Sequence, residues 1–191
     1  MLIVGLLFFI GFYIYAKNYW KNFATETQIK ELISEIKTAE ELPEKFYELY
    51  EIENPNTLTY GLNRLMITSV FKSTFYKPPS SIVALISEIS RDYKGSFHRH
   101  KLREISLSWK IENGASQREC LNWVANRFDF VNMALGIKQA SNLYFKKEIS
   151  ELTEKELASL VIMMNNASLY NPLRRKELLD QKADELVAKI K

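Results

Sequence analysis

The sequence predicts an all-α domain behind an apolar N-terminal helix, and three observations carry that prediction. The 191 residues include only six glycines and five prolines, too few for a turn-rich β-fold. Apolar residues recur at helical spacing, as at Ile29, Leu32, Ile33 and Ile36. Two capping boxes, Ser116 with Glu119 and Thr153 with Glu156, mark helix starts, because serine or threonine caps the third amide of a helix while the glutamate reaches back.

Leu2 to Ala16 read LIVGLLFFIGFYIYA without a charge. A bilayer crossing takes about 20 apolar residues, so this run reaches that length only if it continues through Trp20 with Lys17 snorkelling. Tyr13, Tyr15, Tyr19 and Trp20 then form an interfacial aromatic belt. With no basic n-region and no small-x-small cleavage site, an uncleaved anchor is the favoured reading over a signal peptide. Lys17 and Lys21 on its C-terminal side would hold that side in the cytoplasm by the positive-inside tendency.

Beyond the anchor, a helix is predicted from Glu26 to Glu41, stopped near Pro43, and a second over Glu44 to Tyr50. Asn54-Pro55-Asn56 is a loop signal. Thr57 to Tyr76 mixes β-branched, aromatic and basic residues and allows an irregular or β element. After the Pro78-Pro79 break, Ile82 to Ile89 suits a buried helix, interrupted at Lys94-Gly95-Ser96. Lys101 to Ile111 is helical and Asn113-Gly114 a turn. The Ser116 box opens a helix to about Phe128, and the Thr153 box opens one ended by Tyr170-Asn171-Pro172. Lys176 begins a last amphipathic helix with Leu179, Leu186, Val187 and Ile190 on its apolar side.

The net charge of +3 is mild, and no nucleic-acid partner is expected. The single Cys120 forms no intrachain disulfide and reads as a small buried residue. His98 and His100, two apart, would share a face on a strand but not on a helix, and no Cys or carboxylate cluster joins them, so neither a metal nor another cofactor is expected.

Pro78 to Arg174 resembles the peptidoglycan glycosyltransferases of family 51, the transglycosylase domain of penicillin-binding proteins and monofunctional transglycosylases. Their pattern S-K-E-E-I-L-E-L-Y-L-N-R-V-Y-F-G-x-G-A-Y-G-I is similar to Ser116 through Leu121, Ala125 through Phe130 and Ala134 through Ile137. Without a gap, A-x-x-Y-F-G-K-x-x-x-x-L-T-x-x-E-x-A-x-L is similar to Ala140 through Leu160, with Tyr144-Phe145, Leu152-Thr153, Glu156 and Ala158 in place. Tyr170-Asn171-Pro172-Leu173-Arg174 stands intact. The resemblance implies a mostly α, lysozyme-like glycosyltransferase fold. It divides the chain into a transmembrane anchor (1–21), a helical juxtamembrane region (22–77) and a shortened glycosyltransferase-like domain (78–191).

The family's catalytic half departs from the pattern. With Ala84 and Tyr93 in register, the catalytic Glu position falls on Ile89, the following Asp on Ser90 and the His on Ser96. The second motif, G-G-S-T-I-x-Q-Q with its downstream Lys, is missing. The third, R-K-x-x-E, survives in part as His100-Lys101-Leu102-Arg103-Glu104. In such a transferase a carboxylate takes the proton of a sugar 4-hydroxyl as it attacks an anomeric carbon, and cations stabilise the departing lipid pyrophosphate. Ile89 cannot exchange a proton, and on a helix the adjacent Glu88 is turned about 100° away from the same face. Losing a general base typically costs 10²–10⁴-fold.

The resemblance therefore implies a membrane-anchored, non-catalytic descendant that binds a cell-wall synthesis protein or a lipid-linked peptidoglycan precursor. It implies a single-pass protein of the cell membrane with its domain on the outer face, against the orientation that Lys17 and Lys21 favour. The residues expected near phosphate are Arg99, His100, Lys101 and Arg103; the residual acid–base candidates are Glu104 and Glu88. The alternatives are an active polymerase with Glu88 or Asp92 as a relocated base, and a lysozyme-like lytic enzyme using Glu104.

Overall fold

The computed structural model describes residues 2–71, 75–91 and 96–190. Among them eleven α-helices follow in order: α1 (Leu2–Asn18), α2 (Glu26–Lys37), α3 (Glu44–Glu53), α4 (Leu62–Phe71), α5 (Pro79–Ile86), α6 (Glu88–Arg91), α7 (Phe97–Glu112), α8 (Gln117–Ala125), α9 (Ile137–Phe145), α10 (Glu154–Asn165) and α11 (Lys176–Ala188). Short 3-10 turns lie at Tyr19–Asn22 and Ile149–Glu151. The described residues contain no strand, only an isolated antiparallel bridge between Asp129 and Leu135. The all-α expectation holds.

Both predicted capping boxes form. Ser116 Oγ accepts from the Glu119 amide at 3.2 Å while Glu119 accepts from the Ser116 amide at 2.7 Å. Thr153 and Glu156 make the same exchange at 3.3 and 2.8 Å. A third box, Thr25 with Gln28, opens α2.

Two cores hold the helices together, and α8 belongs to both. Leu121 and Ala125 of α8 join Phe46 and Leu49 of α3, Leu160 and Met163 of α10, and Leu179 of α11. Cys120, Trp123 and Val124 of the same helix join Ile29 and Ile36 of α2, Val83 of α5, and Leu107 and Ile111 of α7. Residues from 22–77 thus share both cores with residues from 78–191. Burial pushes the Cys120 thiol up to about 12, as suits an inert core residue.

A polar knot joins the helix ends beneath this layer. Glu112 Oε1 accepts from the Leu62 amide, Ser80 Oγ and Gln117 Nε2, each at 2.8 Å. It ties the starts of α4, α5 and α8 to the end of α7, so the half-buried carboxylate satisfies all three donors.

Two expectations are corrected. Thr57–Tyr76 contains a helix, α4, rather than a β element; residues 72–74 lie outside the described set. Leu62 and Leu65 are buried one turn apart, and the Thr68 and Ser69 hydroxyls bond back to the carbonyls of Leu65 and Met66, so tertiary burial overrides β-branched propensity.

The second correction concerns the expected aromatic belt. α1 has 17 residues, about 25 Å at helical rise, and no helix among the described residues is long and apolar enough to cross a membrane. Tyr19 and Trp20 do not extend it as an interfacial belt. They turn into the domain, and Trp20, 4% exposed, sits in the second core. The Trp20 amide donates to Ser106 Oγ at 2.8 Å, and the Tyr13 ring meets Trp109 edge-on at 5.4 Å.

Candidate functional site

Ser87 shapes the site. α5 ends at Ile86, Ser87 is extended (φ −63°, ψ 153°), and the chain restarts as the four-residue α6. The helix predicted through Ile89 is therefore broken two residues early. Glu88 and Ile89 remain one helical step apart at the start of α6. Both residues line one cleft of about 900 Å³, bounded opposite by α2 and by the end of α8. Ile89 is half-buried against the second core and Glu88 is exposed.

The far wall is fixed by charge and stacking. Arg127 lies over the Trp123 ring at 4.4 Å and donates to Glu35 at 3.0 Å; Trp123 Nε1 donates to the same oxygen at 3.3 Å. Glu31 and Asp129 also line the cleft, and the Asp129 carboxylate accepts from the Val131 amide at 2.8 Å. Ser87 is 2% exposed, and its hydroxyl has no hydrogen-bond partner among the described residues. Sequence reasoning missed Ser87, Trp123 and Arg127 as cleft residues, because only the break at Ser87 and the return of α2 bring them together. Asp92 lies outside the described residues.

The third-motif residues stand elsewhere. α7 carries all of them, and none lines the cleft. Glu104 is 7% exposed, and both its oxygens accept from lysines: Lys77 at 2.9 Å and Lys101 at 3.0 Å. Lys101 and Glu104 were expected; Lys77, from the segment before α5, was not. No sequence signal links Lys77 to Glu104, 27 residues on. Arg99 and His98 are exposed and His100 half-exposed, whereas Arg103 is buried at 5% exposure. His98 and His100 share a helix, so their side chains diverge.

The segment matching the family's G-x-G-A-Y-G-I forms a tight loop behind the cleft. Val131, Asn132 and Met133 have φ of 61°, 51° and 66°, and Gly136 has 84°. The family pattern places glycine at positions 131 and 133, and here they are Val and Met. Tyr144 Oη donates to the Phe130 carbonyl at 2.7 Å, and Asn132 Nδ2 donates to Asn171 Oδ1 at 3.2 Å. The Tyr144 and Tyr170-Asn171-Pro172 signatures therefore brace this loop.

These features define a helical domain with a cleft at the first-motif position and a separate carboxylate–lysine cluster at the third. A transglycosylase family model matches residues 81–191. The chain is 27% identical over 132 residues to penicillin-binding protein 4 of Bacillus subtilis, covering 69% of this chain and 21% of that protein. It is 24% identical over 149 residues to penicillin-binding protein 1A of Neisseria cinerea, covering 74% and 18%, and 25% identical over 134 residues to that of Neisseria gonorrhoeae, covering 66% and 17%. The chain belongs to the transglycosylase family, and spans about a fifth of the length of these relatives.

Proposed function

We propose that this chain is a membrane-associated, non-catalytic transglycosylase relative that holds a lipid-linked peptidoglycan precursor or a cell-wall synthesis partner without turning the precursor over. The observation that carries the reading is Ile89: it lines a cleft, and an alkyl side chain stands where the family pattern has its catalytic carboxylate. A missing base costs about 10²–10⁴-fold, and a missing second motif removes positioning groups as well. Arg127 still offers a polar contact to a sugar-rich ligand in that cleft. Lys101 and Lys77, with exposed Arg99, supply cations for phosphate, but both Glu104 oxygens are already engaged by ammonium groups, which argues against a lytic acid there.

The test is polymerisation of lipid-linked disaccharide by the purified full chain. No polymer is expected, from the parent or from Ile89→Glu, since one carboxylate does not replace the second motif. A glycan polymer from the parent would sink the proposal. A second reading keeps an active polymerase with Glu88 as base, and its support is that Glu88 shares the cleft with Ile89. It requires parent activity that Glu88→Gln removes.

A further inference from the structure

We propose that α4 is a second lipid-binding element, lying on the bilayer beside α1 through Met66, Ile67 and Val70. The inference rests on the reading that α1 enters a membrane, and adds a contact that α1 does not supply.

α4 is apolar on two sides. Leu62 and Leu65 are buried in the domain, at 3% and 6% exposure. Met66, Ile67 and Val70 fall within about 100° of one another on the other side. Ile67 is 64% exposed and Val70 79%. A helix apolar on both sides is normally covered on both.

The place of this face identifies what covers it. Trp109 of α7 meets Tyr13 of α1 edge-on, and its Nε1 donates to Asn63 of α4 at 2.7 Å. α1 and the first turn of α4 thus stand on the same residue. The first turns of α1 are themselves exposed and apolar: Leu6, Phe8, Ile10 and Phe12 are 62%, 75%, 47% and 55% exposed. At about 25 Å it falls short of a hydrocarbon core of about 30 Å, and its last turns are occupied by α7. A short insert is accommodated by drawing its flanks toward the membrane, and the flank here is the base that carries α4. Cations collar that base. Lys17 lies over the Tyr13 ring and Lys21 over Trp20, complementary to anionic headgroups, while Lys110, also over Trp20, is paired with Glu26 at 3.3 Å.

Single cysteines at Ile67, Val70, Leu7 and Arg174 in the full chain, spin-labelled and bound to phosphatidylglycerol–phosphatidylcholine vesicles, test this. Native Cys120 is buried and should not label. Collision with a water-soluble nickel chelate should fall roughly fivefold at 67 and 70 on vesicle binding, as for an interfacial helix, and stay unchanged at 174. Shielding at position 7 with positions 67 and 70 as accessible as 174 overturns the α4 proposal and leaves α1 inserted. Accessibility at position 7 as well overturns both. Shielding of 67 and 70 already present without vesicles identifies a protein cover and also overturns it.

Discussion

Around α8 to α11 the family's residue types and this chain's contacts coincide: both capping boxes form, Tyr144 reaches the Phe130 carbonyl, and Asn171 braces the neighbouring loop. Around α5 to α7 they part. Ile89 is half-buried where a carboxylate is expected, the helix breaks at Ser87, and Glu104 is clamped by a lysine from outside the motifs. The scaffold is constrained residue by residue because its side chains are buried against each other. The cleft faces solvent, so its exposed residues can change at little folding cost. Folding stability therefore rests mainly on the scaffold residues, and the comparison can be attacked on that side.

The largest effect is expected at Phe46, which is fully buried in the core it shares with α8 and α10. Phe46→Ala should cost about 3–5 kcal/mol in denaturant unfolding. A much smaller loss would mean that α3, from the region before the family match, is an appendage and not part of the scaffold. Next comes Gly136→Ala. A Cβ there would meet the Asn126 carbonyl at 2.5 Å, at a φ of +84° that side chains rarely adopt. With both strain and clash, a loss of roughly 2–3 kcal/mol is expected.

The caps should matter less. Ser116→Ala should cost about 1 kcal/mol. The same box has a pH signature. Hydrogen bonds from the Ser116 amide and hydroxyl hold the Glu119 carboxyl below its ordinary value of 4.5. Burial pushes Glu156 upward, but Lys147 and Thr153 outweigh it and its net shift is also down. A carboxyl depressed in the folded state binds fewer protons there than when unfolded. Its stabilisation is present above the unfolded value and is lost as pH falls below about 4.5 through the depressed value. Urea midpoints of Glu119→Gln and its parent should differ at pH 7 and converge in acid; a constant gap would remove the box from the scaffold's account.

Much of this scaffold was legible in the sequence because its signals are local: three-residue capping spacings, helical apolar periodicity and the Tyr170-Asn171-Pro172 turn. α9 escaped notice because its N-cap is Gly136, which makes no side-chain cap. α4 escaped because β-branched residues in it are outvoted by burial of Leu62 and Leu65. The site was less legible, since it depends on non-local meetings. Ile89 and the third-motif residues could be placed by register, but the Lys77–Glu104 pair, the Arg127–Glu35 wall and the orphan Ser87 hydroxyl arise only when α2 and the segment before α5 fold back.

The smallest predicted effect is a gain, and it bears on where the scaffold itself has drifted. Val131 and Met133 sit at positive φ where the family pattern has glycine. A left-handed non-glycine residue is strained by roughly 1–2 kcal/mol. Restoring glycine removes that strain but adds backbone entropy to the unfolded chain, about 0.5–1 kcal/mol in the opposite direction. The difference favours glycine by some tenths to about 1 kcal/mol. Val131 is half-buried and forfeits packing as well, so its gain should be the smaller. Met133 is 95% exposed and forfeits almost none. Met133→Gly should therefore raise the urea midpoint while Val131→Gly stays near neutral. If Met133→Gly destabilises the chain, the loop is not a relaxed copy of the glycine turn, and the scaffold has been remodelled there as the cleft has.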